Sequence, residues 1–362
     1  VREGVAAGRA LLSPFVLLAQ PSTRAAQRQC AESFASGLAG PPLRSARTLS
    51  EGRLRIGYLS ADFRVHATAF LAAGLFEQHD RTRFEVFGYS LGPDDASPMR
   101  SRLERAFDRF VDLHGRPAGQ VAQAIRADGI DILVDLKGHT LGAPHRVLAL
   151  RPAPIQVHYL GYPGTLGGGL VDYLIGDAVV TPAAHAADYA ETLVRLPGSY
   201  QVNDRDRPVA EPPSRAELGL PDDAVVLCNF NATWKLRPES MDAWAAILRR
   251  VPNAVLWLLA RRDDDPAAAN LRREASTRGI DGHRLVFAAA RPNAEYLGLY
   301  RRADLFLDTW PYNAHTTGSD ALWAGLPVLT QTGTTFPGRV GTSLLTAVGL
   351  PELVTASGPQ FE

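Results

Sequence analysis

At 362 residues the chain exceeds what one small core requires, and at about 100–200 residues per domain it accommodates two. Hydrophobic residues make up 46% and charged residues 21%, which excludes a disordered or fibrous chain. The 38 Lys+Arg cancel the 38 Asp+Glu, so net charge gives no argument for nucleic acid as a partner. Two cysteines, Cys30 and Cys228, are too few for a disulfide framework, and a reducing cytoplasm is the expected compartment. No apolar run approaches the roughly 18–20 residues of a membrane span. Ala10 to Ala19 has the apolar character of a signal-peptide core, but Ser13-Pro14 interrupts it. The chain begins at Val1 and stops at Glu362, just after a strand-like Glu352-Leu353-Val354, so a fragment of a longer protein is expected.

Residues 1–50, rich in Ala, Arg and Ser, read as helical and peripheral. From Leu54 to about Ile175, β-rich runs (Ile56–Leu59, Phe84–Phe87, Ile132–Asp135) alternate with helix-like stretches such as Ala118–Ala127. Such alternation predicts βαβ units on a parallel sheet. A loop from Pro197 to Pro213 with four prolines breaks the pattern and reads as the domain boundary. A second run of the same kind comes next: strands at Val225–Phe230, Ala254–Leu259, Leu285–Phe287, Leu305–Leu307 and Val328–Leu329, with a helix opened by Pro238 and running to Arg250. In doubly wound folds ligands bind beyond the carboxyl ends of strands, so the residues just past each strand are the ones that matter.

Four such segments carry candidate chemistry. After the first strand, Asp62 and His66 lie close to a helix N-terminus, whose dipole disfavours imidazolium and leaves a neutral base for a hydroxyl proton. The plainer alternative has Asp62 capping the helix and His66 packing. Leu160-Gly161-Tyr162-Pro163-Gly164-Thr165 suits backbone contact with a small ligand, or is a simple turn. In Asn229-Phe230-Asn231-Ala232-Thr233-Trp234-Lys235, the lysine either neutralises charge on a departing phosphate or is a solvated loop residue. In the segment from Asp308 to Asp320, His315-Thr316-Thr317-Gly318 brings hydroxyls and backbone N–H groups to a helix start, a natural seat for a diphosphate, with Asp320 one turn on as a ribose acceptor. Otherwise Thr316 is a cap and Asp320 merely favours the positive helix end.

Several patterns are absent or weak. Gly164 to Gly169 is not G-x-G-x-x-G, and no G-x-x-x-x-G-K-[ST] occurs. Asp94-Asp95 and Asp263-Asp264-Asp265 read as solvated turns, and the nine histidines lack metal-ligand spacing, so no metal is expected.

Taken together, Arg53–Phe63, Leu150–Gln156, Leu160–Thr165, Arg250–Leu259 and His315–Gly325 resemble the catalytic region of the nucleocytoplasmic O-GlcNAc transferases, their bacterial homologues and SPINDLY-like relatives. The resemblance implies an α/β fold of GT-B type: two facing Rossmann-like doubly wound domains with a short helical N-terminal segment. It implies a linker after tetratricopeptide repeats at 1–50, an acceptor-side domain at 51–205 and a nucleotide-sugar domain, truncated, at 206–362. The activity implied is inverting, metal-independent transfer of GlcNAc from UDP-GlcNAc to Ser or Thr hydroxyls of proteins. The partners are then a UDP-sugar and a protein or peptide acceptor, with no cofactor, nucleic acid or membrane. Another donor, GDP-fucose or UDP-glucose, is the alternative, as is a catalytically silent sugar-nucleotide-binding module, against which the joint presence of Lys235 and His66 argues. By resemblance His66 and Asp62 handle the acceptor proton, and Lys235 binds the diphosphate. His315, Thr316 and Thr317 contact phosphate and sugar, Asp320 the ribose, and Leu160, Gly161 and Pro163 the sugar. Ala232 stands where animal members have a Gln on the diphosphate, Val65 where they have an Asn that holds the acceptor backbone, and Tyr296 where they have a uracil-stacking His.

Overall fold

The structure, a computed structural model, describes residues 12–38, 52–260 and 265–362. The chain divides into two compact units, Val1–Asp206 and Arg207–Glu362.

The first unit is built on seven strands: β1 (Leu54–Ser60), β2 (Phe84–Ser90), β3 (Arg109–Asp112), β4 (Ile132–Asp135), β5 (Ile155–His158), β6 (Tyr173–Asp177) and β7 (Thr192–Leu196). All pair in parallel, in the order β3-β2-β1-β4-β5-β6-β7. In β1 and β2 the last five residues are all buried, the continuous run expected of a parallel strand covered on both faces. From β1 the chain moves outward through β2 and β3, then returns to place β4 on the other side of β1. The order therefore reverses between β1 and β4, the kind of point at whose carboxyl ends doubly wound sheets bind ligands. The helix Arg24–Ser36 is built into this unit, a closer attachment than the peripheral placement expected for residues 1–50. Arg24 pairs with Asp188 at 2.6 Å, and a Cβ on Gly168 would come within 2.4 Å of the Ala35 Cβ, so the two backbones meet at a glycine. Residues 1–11 and 39–50 of that segment, and the Asp263-Asp264 turn, lie outside the described residues; Asp265 caps the helix Pro266–Thr277 through the Ala267 N–H.

The second unit holds six strands: β8 (Val225–Asn229), β9 (Ala254–Ala260), β10 (Leu285–Ala289), β11 (Leu305–Leu307), β12 (Val328–Gln331) and β13 (Val354–Thr355). Their order is β10-β9-β8-β11-β12-β13, which reverses between β8 and β11. The strand-like Glu352–Val354 resolves into a single 3-10 turn, Pro351–Leu353, that feeds β13. The period of two decides how β9 is buried on both faces: Val255 and Trp257 enter one apolar cluster with Phe230 and Phe306, while Ala254, Leu256 and Leu258 enter the other with Trp244 and Leu248. Trp257 is wholly buried, so Trp257→Ala is expected to cost about 3–5 kcal/mol. All five tryptophans lie in this unit, so their fluorescence during urea unfolding reads that loss directly as a lower midpoint. Among the described residues no helix is long and apolar enough to cross a membrane.

Candidate active site

In the first unit the reversal point brings together the ends of β1, β4 and β5. Asp62, two residues past β1, is buried and anchored by its own N–H, which donates to Ser60 Oγ at 2.9 Å. Lys137, two residues past β4, places Nζ 2.5 Å from Asp62 Oδ2, and the two side chains are 4% and 5% exposed. The loop that carries Lys137 is fixed by Asp135, whose carboxylate accepts the N–H groups of Lys137 (3.0 Å) and Gly138 (2.7 Å) and faces His158 Nδ1 at 3.0 Å. Burial alone would push the Asp135 carboxyl up. The His158 hydrogen bond and charge, with the two amides, outweigh it, so Asp135 falls and His158 rises, and the two form a buried ion pair.

His66 begins the helix Ala67–Glu77 and caps it, its Nδ1 accepting the Thr68 N–H at 3.2 Å. The cap is therefore the histidine, not Asp62 as the plainer sequence reading had it. The same Nδ1 lies 3.5 Å from Asp62 Oδ2. Burial lowers the His66 pKa, the Asp62 charge opposes this, and Lys137 and Arg64 lower it further; the ring is neutral at physiological pH. A neutral ring with Nδ1 bound to Thr68 carries its proton on Nε2. To free the Nε2 lone pair, that proton must move to Nδ1, and Asp62 Oδ2 is the acceptor that would receive it there.

Leu160 lies just past β5 in left-handed backbone, φ 66°, an uncommon setting for a leucine. A Cβ on Gly161 would sit 1.9 Å from the Leu136 carbonyl oxygen, so only glycine allows the Leu160–Gly161 turn to lie against the loop that holds Lys137. Pro163 is buried beside it. Val65, 51% exposed, has its N–H held by Asp95 Oδ2 at 2.8 Å, which gives Asp95 a turn role.

In the second unit the segments after β8 and β11 meet at the other reversal point. Lys235 is not solvated: it is 8% exposed, and its Nζ donates to the Asn313 carbonyl at 2.9 Å and to Asn231 Oδ1 at 3.4 Å. The Tyr312 ring lies 4.5 Å from the ammonium, and among the described residues no carboxylate comes within ion-pair distance of it. Burial lowers the Lys235 pKa, partly countered by the more distant Asp308. Asn231 also receives the Thr317 hydroxyl at 2.5 Å and donates to Thr309 Oγ1 at 3.1 Å. Asp308 accepts from the Thr309 and Ala314 N–H groups at 2.7 and 2.6 Å and from the Thr330 hydroxyl at 2.5 Å, pinning the loop that leads to His315.

The helix Thr316–Trp323 starts at His315 with no side-chain cap, so Thr316 does not play the capping role of the plainer reading. Its first N–H groups keep their anion-binding character. His315 stacks on Tyr312 at 4.5 Å, and its Nε2 donates to the Pro337 carbonyl at 3.0 Å. Burial and Lys235 hold it well below the usual imidazole pKa, so the ring is neutral and carries its proton on Nε2.

Asp320 is 3% exposed and ion-paired with Arg207, whose Nε and Nη1 are buried without a protein partner. Tyr296 donates to the Tyr300 hydroxyl at 2.6 Å, which in turn donates to the Thr317 carbonyl at 3.3 Å, so the aromatic wall is tied to the same helix start. Among the described residues no group of three or more His, Cys, Asp or Glu is arranged to hold a metal ion.

The profile of glycosyl transferase family 41 matches residues 28–211 and 209–362. The chain belongs to that family. Among family 41 relatives, the probable UDP-N-acetylglucosamine–peptide N-acetylglucosaminyltransferase SEC of Arabidopsis thaliana is 40% identical over 82% of this chain and 31% of its own length. The UDP-N-acetylglucosamine–peptide N-acetylglucosaminyltransferase of Caenorhabditis elegans is 32% identical over 85% of this chain and 36% of its own. The chain thus spans about a third of the length of these curated relatives. A solved mutant of Thermobaculum terrenum O-GlcNAc transferase superposes with a TM-score of 0.88 at 33% identity, covering 99% of this chain and 71% of that one. The family 41 fold is of GT-B type, with both units present here as parallel-sheet α/β bodies.

Proposed function

We propose that this chain is the catalytic region of an inverting protein glycosyltransferase that moves GlcNAc from UDP-GlcNAc to Ser or Thr hydroxyls without a metal ion. The observation that carries the reading is Lys235: a buried ammonium held by neutral oxygens, beside an uncapped helix start, at a point where doubly wound sheets bind ligands. A diphosphate supplies the missing counter-charge, and a fixed ammonium with helix N–H groups does at a leaving phosphate what a divalent cation does elsewhere. The relatives' names, which specify a UDP-GlcNAc donor and a peptide acceptor, support the choice of substrates. In this reading the first unit supplies Asp62, His66 and the Leu160–Pro163 turn for acceptor and sugar. The second supplies Lys235, the Thr316–Thr317 helix start, and Asp320 and Tyr296 for the nucleoside. The acceptor oxygen attacks the anomeric carbon opposite the diphosphate, its proton passes to the base, and UDP departs with the bonding pair. Two buried free thiols suit a reducing compartment, and we place the enzyme in the cytoplasm.

The test is transfer from UDP-GlcNAc to a panel of Ser- and Thr-containing peptides in excess EDTA, read by peptide mass. A gain of one HexNAc, with UDP binding by calorimetry unchanged by the chelator, is expected. Binding lost on chelation would sink the metal-free mechanism. Donor turnover only with another sugar nucleotide would reassign the donor.

A further inference from the structure

We propose that Lys137 is a positioning residue of the acceptor side: its ammonium occupies the Asp62 oxygen that faces His66 Nδ1, and so prevents that carboxylate from drawing an extra proton onto the ring. The role goes beyond the reading above but rests on it for its catalytic meaning. Three atoms define it. Lys137 Nζ and His66 Nδ1 approach the same oxygen, Asp62 Oδ2, at 2.5 and 3.5 Å. Without the lysine, a buried carboxylate beside an imidazole is a site for one added proton, shared between the two, and a proton-loaded pair cannot accept another from a hydroxyl. With it, the pair of charges is closed before the acceptor arrives.

The surroundings leave the lysine as the controlling charge. Facing His66 are Asp62 and Arg64 from the segment after β1 and Lys137 from the segment after β4; Asp95 is engaged by the Val65 and Ser97 N–H groups and the Ser97 hydroxyl. Lys137 cannot drift away from Asp62, because Asp135 holds its N–H and the Asp135–His158 ion pair fixes the turn. The Leu160–Gly161 turn lies on the same loop, so Lys137 shares one rigid frame with the residues assigned to the sugar.

The experiment is a proton titration of the His66 ring, followed by the carbon shifts of 13C-labelled histidine and assigned with His66→Asn, together with the pH profile of kcat/KM. Lys137→Met is expected to bind a proton at the Asp62–His66 pair about tenfold more tightly, one pH unit, by loss of a unit charge a few ångströms away. The acid limb of kcat/KM should rise by the same interval. Lys137→Arg should keep the wild-type midpoint. Lys137→Gln, which removes the charge but keeps a polar donor, should raise the midpoint likewise, and it decides the matter if Lys137→Met fails to fold. A midpoint unmoved in Lys137→Met or in Lys137→Gln would overturn the proposal; a uniform loss of rate with no change in the acid limb would mean a merely structural lysine. Because the ring titration needs no turnover, a wrong donor assignment leaves it readable.

Discussion

On the proposed function, Lys235→Ala is expected to lower kcat about 10²–10³-fold, the loss typical of a preorganised group that stabilises developing charge, while affinity for UDP-GlcNAc falls by less. The asymmetry comes from when the charge appears. The diphosphate is already anionic in the bound donor, but its bridging oxygen gains charge only as the glycosidic bond breaks, so a fixed ammonium acts more on the transition state. Lys235→Arg does not restore the rate. The cavity bounded by Asn313, Asn231 and the Tyr312 ring holds a compact ammonium, and a planar fork cannot reproduce its point contacts. Burial lowers the lysine's pKa, so the free enzyme sheds this proton at lower pH than an exposed lysine does. Wild-type donor binding therefore weakens as pH rises through that lowered value, and Lys235→Ala loses this pH dependence. Stopped-flow turnover and calorimetry across pH measure both, and wild-type rates in Lys235→Ala would return the residue to a structural role.

His66→Ala lowers kcat about 10²–10⁴-fold if the imidazole is the base, with UDP affinity little changed. That substitution alone is ambiguous here, because the ring also caps the helix Ala67–Glu77. His66→Asn separates the two roles. Asparagine is a good N-cap and no base, so it keeps the helix start and loses the proton acceptor. Equal loss of kcat in both variants, with the melting temperature preserved only in His66→Asn, is the expected pattern. If His66→Asn regains most of the rate, capping is what the reaction needs and the proton leaves by way of Asp62.

Much of the fold and of the site is legible in the chain. The alternation of buried runs marks the parallel strands, and the short segments beyond their carboxyl ends contain Asp62, Lys235 and His315. Lys137 obeys the same rule, two residues past Ile132–Asp135, yet carries no local signal, because its partner Asp62 lies 75 positions earlier in the chain. Arg207 lies in a proline-rich boundary loop, and its pairing with Asp320 spans 113 positions, beyond any local spacing signal. The capping of Ala67–Glu77 by histidine is equally obscure, since aspartate is the residue type that propensity favours there. Asp308 is visible as the first residue of its segment, but its three acceptor contacts arise only once β11, β12 and the turn to Ala314 are folded together.

Asn231 and Asp308 give the second unit a division of labour that bears on redesign. Both are buried, and each ties segments far apart in the chain: Asn231 joins Thr309, Thr317 and Lys235, and Asp308 joins Thr309, Ala314 and Thr330. Substitution at either releases several partners at once, so neither position is a useful target for altering donor choice. Ala232, Trp234 and Tyr296 lie at the margin of the same frame and retain solvent exposure. On the proposed function, a library at these three positions varies the lining near the donor while the contacts of Asn231 and Asp308 stay intact, and that is where a new donor specificity is most economically sought.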